Sequence, residues 1–239
     1  MKRRAFIGDV HGCPDELLAL LSKLAHESID EICHTGDLLD RGPDSGAVVQ
    51  ICVERKIKGV MGNHESTVLK MRNQILKGHK HKNVTEKHRT IESIRHQDWA
   101  YLEKLPIMYA FDDINTILVH GGVLPNIPLY KQPFSICCMQ MIKPWAGDAT
   151  RWWGYDHIHE RTEEENRADG WVRWYEVCNH EEIIVYGHSV YEKPFRYNNT
   201  IGVDTGCVYG GELSAVILPD WKYISVSAKK AYFPKRDRN

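Results

Sequence analysis

The sequence predicts an α/β fold in which two packed β-sheets are flanked by helices, an αββα sandwich. Short apolar runs alternate with helical leucine patterns through the first part of the chain, whereas β-like runs dominate the second. Glycine-led polar blocks also follow the early β-runs at similar intervals: Gly8-Asp9-Val10-His11-Gly12, Gly36-Asp37-Leu38-Leu39-Asp40-Arg41-Gly42 and Gly62-Asn63-His64-Glu65. In a parallel sheet such blocks sit beyond the carboxyl ends of the strands, where ligand sites form.

Ala5 to Ile7 reads as the first strand. Leucines at 17, 18, 20, 21 and 24 predict a helix over about 16–25, with Pro14 and Asp15 suited to its first turn. A second strand over Glu31–Thr35, a helix from about Ser45 to Glu54 and a third strand over Lys58–Met61 complete a right-handed β-α-β-α-β unit. A further helix is expected after His64, and helical character runs to about Glu103. It is interrupted from Gly78 to Arg89 by a polar stretch whose lysines read chiefly as solvated surface.

Met108–Phe111 and Thr116–Val119, joined by Asp112-Asp113-Ile114-Asn115, predict a hairpin that ends at His120. The segment of about 123–180 is irregular, with prolines, an acidic run at Glu163–Glu165 and tryptophans at 145, 152, 153 and 171. It is expected to be an insertion over one rim of a single domain spanning 1–239. Strands return at Ile183–Tyr186, Thr200–Asp204, Leu213–Leu218 and Tyr223–Val226.

At 239 residues the chain can bury a substantial core, and 42% hydrophobic and 26% charged residues are ordinary for a globular protein. A formal net charge of −1 gives no reason to expect bulk nucleic-acid or membrane binding. The apolar run after Met1-Lys2-Arg3-Arg4 stops at Asp9, too short for a signal sequence, and no stretch reaches the roughly 18 apolar residues of a membrane span. Seven cysteines without regular spacing suggest reduced thiols and a cytoplasmic location.

In an extended segment Asp9 and His11 point to the same side, giving one oxygen and one nitrogen ligand. Asp37 arrives from the next strand at the same edge, where a carboxylate can bridge two ions. Asn63, His120 and His188 would complete a second shell, both histidines standing where apolar β-runs end. Taken singly, a strand-end Asp more often caps a helix and a lone His more often rests in a core. Six such residues at successive strand ends favour metal.

These blocks, followed by His120-Gly121-Gly122 and Gly187-His188, resemble the phosphoprotein-phosphatase branch of the calcineurin-like metallophosphoesterases, over Asp9 to at least Asp204. The segment Asn198–Gly211 is similar to that of bacterial symmetrical diadenosine tetraphosphatases and small bacterial protein phosphatases. The resemblance implies Asp9, His11 and Asp37 on a first ion, and Asp37, Asn63, His120 and His188 on a second. The ions would be manganese, or iron, zinc, nickel or cobalt. It further implies metal-bound hydroxide as nucleophile, His64 as general acid paired with Asp40, and Arg41 on the substrate phosphate. In an extended backbone His64 would project away from the ligand before it. Arg173, or else Arg151, is the candidate second phosphate-binding arginine, and Asp204 a partner that orients a ligand imidazole.

The function this implies is hydrolysis of a nucleoside polyphosphate such as diadenosine tetraphosphate. A serine/threonine protein phosphatase is the alternative, so the partner is a small phosphorylated substrate or a phosphoprotein. A non-catalytic scaffold would be expected to have lost ligands or the acid, and here all are present. The insertion's tryptophans read first as core and second as a base-stacking surface.

Overall fold

The computed structural model describes residues 1–79, 83–145, 148–155 and 162–234, without the side chains of residues 136, 137, 148–150, 153 and 155. In chain order its elements are β1 (Arg4–Ile7), α1 (Pro14–Leu24), β2 (Glu31–His34), α2 (Ser45–Glu54), β3 (Lys58–Gly59) and α3 (Asn63–Leu76). Next come α4 (Glu86–Ser93), α5 (Trp99–Glu103), β4 (Met108–Phe111), β5 (Thr116–Val119), β6 (Met141–Trp145) and β7 (Asp148–Tyr155). The last are α6 (Glu163–Ala168), β8 (Val172–Arg173), β9 (Ile183–Tyr186), β10 (Phe195–Tyr197), β11 (Thr200–Gly202), β12 (Glu212–Leu218) and β13 (Lys222–Ser227).

Two five-stranded mixed sheets result, in the orders β13-β12-β1-β2-β3 and β10-β11-β9-β5-β4. The parallel pairing of β1 with β2 and of β2 with β3 matches the predicted crossover unit. Side-chain alternation makes the layers. Ala5 and Ile7 face the helix layer, in one cluster with Leu17, Leu20 and Leu24 of α1, whereas Phe6 points the other way, into a cluster with Leu118, Val185 and Val216. That second cluster, drawn from both sheets, is the centre of the sandwich. Burying each such side chain contributes about 1.5–3 kcal/mol. On the far side of the second sheet, Ile117, Val119, Ile184 and Tyr186 pack with Trp174, Met139 and Ile142 of the rim segment.

Local sequence explains the element boundaries. Pro14 opens α1, and its buried residues Leu17, Leu20, Leu21 and Leu24 form one stripe. The Asp44 carboxylate caps α2 by accepting the Ala47 N–H at 2.8 Å. The hairpin of β4 and β5 falls where it was expected.

Three features differ from the sequence reading. β3 is only two residues long, and α3 begins at Asn63, so His64 lies in the first turn of a helix and not in extended backbone. The segment read as irregular contains a three-stranded sheet, β7-β6-β8. Finally, the polar interruption separates α3 from α4; Lys80 and Lys82 lie outside the described residues. No helix of the described residues is long and apolar enough to cross a membrane.

Candidate metal centre

The loops after β1, β2, β5 and β9 converge at one edge of the two sheets. Their backbone is unusual: His11, Asp37, Asp40, Arg41 and His188 all have φ between 45 and 69°. This left-handed region costs a non-glycine residue about 1–2 kcal/mol, so the surrounding fold must hold each one in place. It also corrects the expectation for Asp9 and His11, whose side chains converge through a turn rather than an extended segment. Two glycines permit close approach. A Cβ on Gly62 would overlap Asp37 Oδ1, and one on Gly187 would overlap Asp9 Oδ1.

Two clusters of ligand-type atoms result, each within 4.8 Å: His11, Asp37 and His64, and Asp37, His120 and His188. Asp37 belongs to both. Its Oδ2 lies 3.6 Å from His11 Nε2 and 3.4 Å from His120 Nε2, between the two clusters. Asn63 Oδ1 lies 2.9 Å from His120 Nε2. Asp9 stands beside these clusters, its two oxygens accepting Thr35 Oγ1–H and the His188 N–H, each at 2.9 Å.

Hydrogen bonds fix the imidazole tautomers. Nδ1 of His11 faces the Leu39 carbonyl and Nδ1 of His120 faces the Thr35 carbonyl, both at 2.9 Å. A carbonyl can only accept, so each Nδ1 carries a proton and each Nε2 faces inward, with a lone pair on the neutral His11. At His120 the Nε2 faces the oxygens of Asn63 and Asp37, which its own proton meets when no metal is bound and which a cation taking that proton's place would satisfy.

The charges point the same way. Burial lowers the His11 imidazole to about 3, a neutral ligand. Burial also opposes the charge on His120, yet the Asp37 and Asp9 carboxylates raise it to about 10. Burial and the neighbouring Asp204 push the Asp9 carboxyl well above its ordinary value. Burial opposes ionisation of Asp37 too, but the imidazoles, His120 foremost, hold it well below the usual carboxylate range. The pocket carries more buried acid than the protein's own cations match, and its mixed oxygen and nitrogen donors suit divalent metal ions.

His64 Nδ1 lies 2.8 Å from Asp40 Oδ2, the expected pairing. Asp40 is itself held from α4, by Lys87 Nζ at 2.8 Å and Thr90 Oγ1 at 2.6 Å. Burial would raise its carboxyl, but these partners, His64 first, bring it well below the usual range. Lys87, read as solvated surface, thus has a buried partner. Arg41 donates from Nη1 to His11 Nε2 at 3.0 Å, and its guanidinium lies over the rings of Tyr209 and Phe233.

Glu65 has a role that the sequence reading missed. Fully buried, it accepts the N–H groups of Asp37, Leu38, Leu39 and Gly62, tying the second polar block to the third. Its place inside the Gly62–Glu65 block was the available signal. Asp204 is buried and accepts the Gly206 N–H at 2.9 Å, a turn contact. Arg173 is bound by Glu163 at 2.7 Å, and Arg151 lies over the Trp145 ring. Of the tryptophans, Trp152 is half-buried and Trp145 partly exposed, and the side chain of Trp153 is outside the described residues.

A profile of the calcineurin-like phosphoesterase family matches residues 2–192. The bis(5'-nucleosyl)-tetraphosphatase PrpE [asymmetrical] of Oceanobacillus iheyensis is 29% identical, covering 96% of this chain and 94% of its own. The protein of the same description from Bacillus subtilis is 28% identical over 97% of each. A solved structure of a candidate diadenosine tetraphosphatase aligns with a TM-score of 0.79 at 26% identity, over 95% of this chain and 94% of that one. A Saccharomyces cerevisiae protein serine/threonine phosphatase, at 15% identity and a TM-score of 0.52, shares the fold. The chain belongs to the calcineurin-like phosphoesterases, a family of metal-dependent phosphohydrolases.

Proposed function

We propose that this protein hydrolyses the phosphoanhydride chain of dinucleoside tetraphosphates, using two divalent ions with manganese as first choice. The observation that carries the reading is the sharing of Asp37 between two histidine clusters with the His64–Asp40 pair alongside. His11, Asp37 and Asp9 would hold one ion; Asp37, Asn63, His120 and His188 the other. Such a pair supplies an activated water and neutralises charge on the phosphate oxygens.

The chain's own residues do the remainder. Arg41 offers a planar fork to the non-bridging oxygens of the phosphate under attack. His64 gives its Nε2 proton to the leaving oxygen, while Asp40 accepts from Nδ1–H and holds the ring in one orientation. Lys87 and Thr90 fix Asp40 so that its carboxylate faces His64 in one orientation. The relatives are named for asymmetrical cleavage, and we adopt that regiochemistry, which releases a triphosphate and a monophosphate, over scission into two diphosphates.

Turnover of diadenosine tetraphosphate, a phosphoserine peptide and p-nitrophenyl phosphate by manganese-loaded protein tests the reading. The expected outcome is a clear preference for the tetraphosphate, with ATP and AMP as products. Tetraphosphate turnover no faster than that of the aryl phosphate would sink it, and a preference for the peptide would replace it with a protein phosphatase.

A further inference from the structure

Beside the His64–Asp40 pair a groove of about 510 Å³ runs between α3 and the start of α4, lined by Thr67, Lys70, Met71, Gln74, Thr85, Glu86 and Lys87. That volume falls in the range of small-ligand sites. Its position follows from the helix that carries the acid. Asn63, Thr67, Lys70 and Gln74 succeed one another at steps of three or four residues, with Met71 beside Lys70, so they share one face of α3. Thr67 Oγ1 donates to the Asn63 carbonyl at 2.7 Å, which places the mouth of the groove one turn from the metal centre. Lys70 stands six residues beyond His64, about 9 Å along the helix axis.

We infer that this groove is the subsite for the leaving nucleotide, receiving the polyphosphate chain that departs from the side of His64. The inference rests on the tetraphosphatase reading above and deepens it. Lys70 is the cation placed along the groove for a phosphate oxygen. Lys87 lines the same groove and joins it to the acid, since its ammonium also holds Asp40 Oδ2. Glu86 is an acid in the lining, but its carboxylate accepts the Arg41 backbone N–H. Next to the groove the half-exposed ring of Phe134 lies 5.7 Å from Lys70 Nζ. An exposed phenyl face next to a lysine suits a nucleobase attached to a phosphate chain. Stacking thereby passes from the tryptophans to Phe134.

The test is steady-state kinetics of Lys70→Glu and Phe134→Ala, manganese-loaded, against diadenosine tetraphosphate and p-nitrophenyl phosphate, whose leaving group cannot reach the groove. For Lys70→Glu the ratio of the two kcat/KM values should fall roughly ten- to a hundredfold, through KM for the tetraphosphate. For Phe134→Ala a fall of about five- to tenfold is expected. Retention of the wild-type ratio by both variants, in a protein that turns over the tetraphosphate, overturns the subsite and leaves the function standing. A wild type with no preference for the tetraphosphate removes both. If Lys70→Glu instead depresses only turnover of a phosphoserine peptide, the groove belongs to a protein substrate and the inference is wrong.

Discussion

The two ends of the parallel strands β1, β2 and β3 are built on opposite principles. At their amino ends stand Arg4, Glu31 and Lys58, each the first residue of its strand. Glu31 accepts Arg4 Nε on one oxygen and Lys58 Nζ on the other, both at 2.7 Å, while Arg4 Nη1 reaches Asp113 at 2.8 Å. Charges there are matched within the chain. At the carboxyl ends Asp9 and Asp37 are buried in loops beside imidazoles. Glu65 is buried in the first turn of α3 and Asp204 after β11 of the second sheet, and five non-glycine residues around them hold left-handed backbone. One end serves stability; the other keeps a charge deficit for a ligand to fill.

If that contrast is right, substitutions at the two ends should separate activity from stability. The largest effect belongs to His64→Asn, which should retain close to two metals per chain by mass spectrometry while kcat falls by roughly 10²–10⁴. Loss of metal in that variant would mean that His64 belongs to the ligand shell. Next is Thr35→Val, which removes the hydroxyl that orients Asp9. A 10- to 100-fold loss of metal affinity in a chelator titration is expected, as for other groups that orient ligands.

Smaller effects sharpen the stability side. Because burial lifts the Asp9 carboxyl, its charge opposes folding when no cation is present. Asp9→Asn should therefore stabilise the metal-free protein, yet remove most of the thermal stabilisation that manganese gives the wild type. Equal melting temperatures for the two metal-free proteins would break the contrast. At the amino ends, Glu31→Gln should cost about 1–2 kcal/mol at neutral pH without changing metal content. Hydrogen bonding from Lys58, joined by Arg4 against the opposing effect of burial, lowers the Glu31 carboxyl from 4.5 to about 2. A depressed folded value means that this stability is present above 4.5 and disappears as the pH falls toward 2. The gap between wild type and variant, read from denaturant midpoints, should close over that interval.

The same contrast explains what the sequence made legible. α2 and β9 were readable to the residue because Asp44 caps one and the other is a plain apolar run. The polar blocks that converge at the candidate centre were readable because acids and histidines after apolar runs are conspicuous. Their backbone was not, since none of the five left-handed residues is a glycine. The start of α3 was placed late because Gly62 offers no capping side chain; instead the Gly62 N–H is held by Glu65 at 2.9 Å. Lys87 lies 47 positions from Asp40, a pairing that no local pattern encodes. The rim sheet escaped because Pro144 interrupts β6, and β8 is only two residues long.

Glu65 gathers four backbone N–H groups from two loops on one carboxylate, and this changes how a mutational scan of the protein should be interpreted. Glutamine keeps the length but exchanges one accepting oxygen for a donor that would face N–H groups; aspartate keeps the charge but falls short. Position 65 should therefore tolerate almost nothing, as a catalytic position would, although its carboxylate is turned to the backbone. Intolerance in this centre would thus mark two different things: groups proposed to meet the phosphate, and one acid whose work is finished when the loops close.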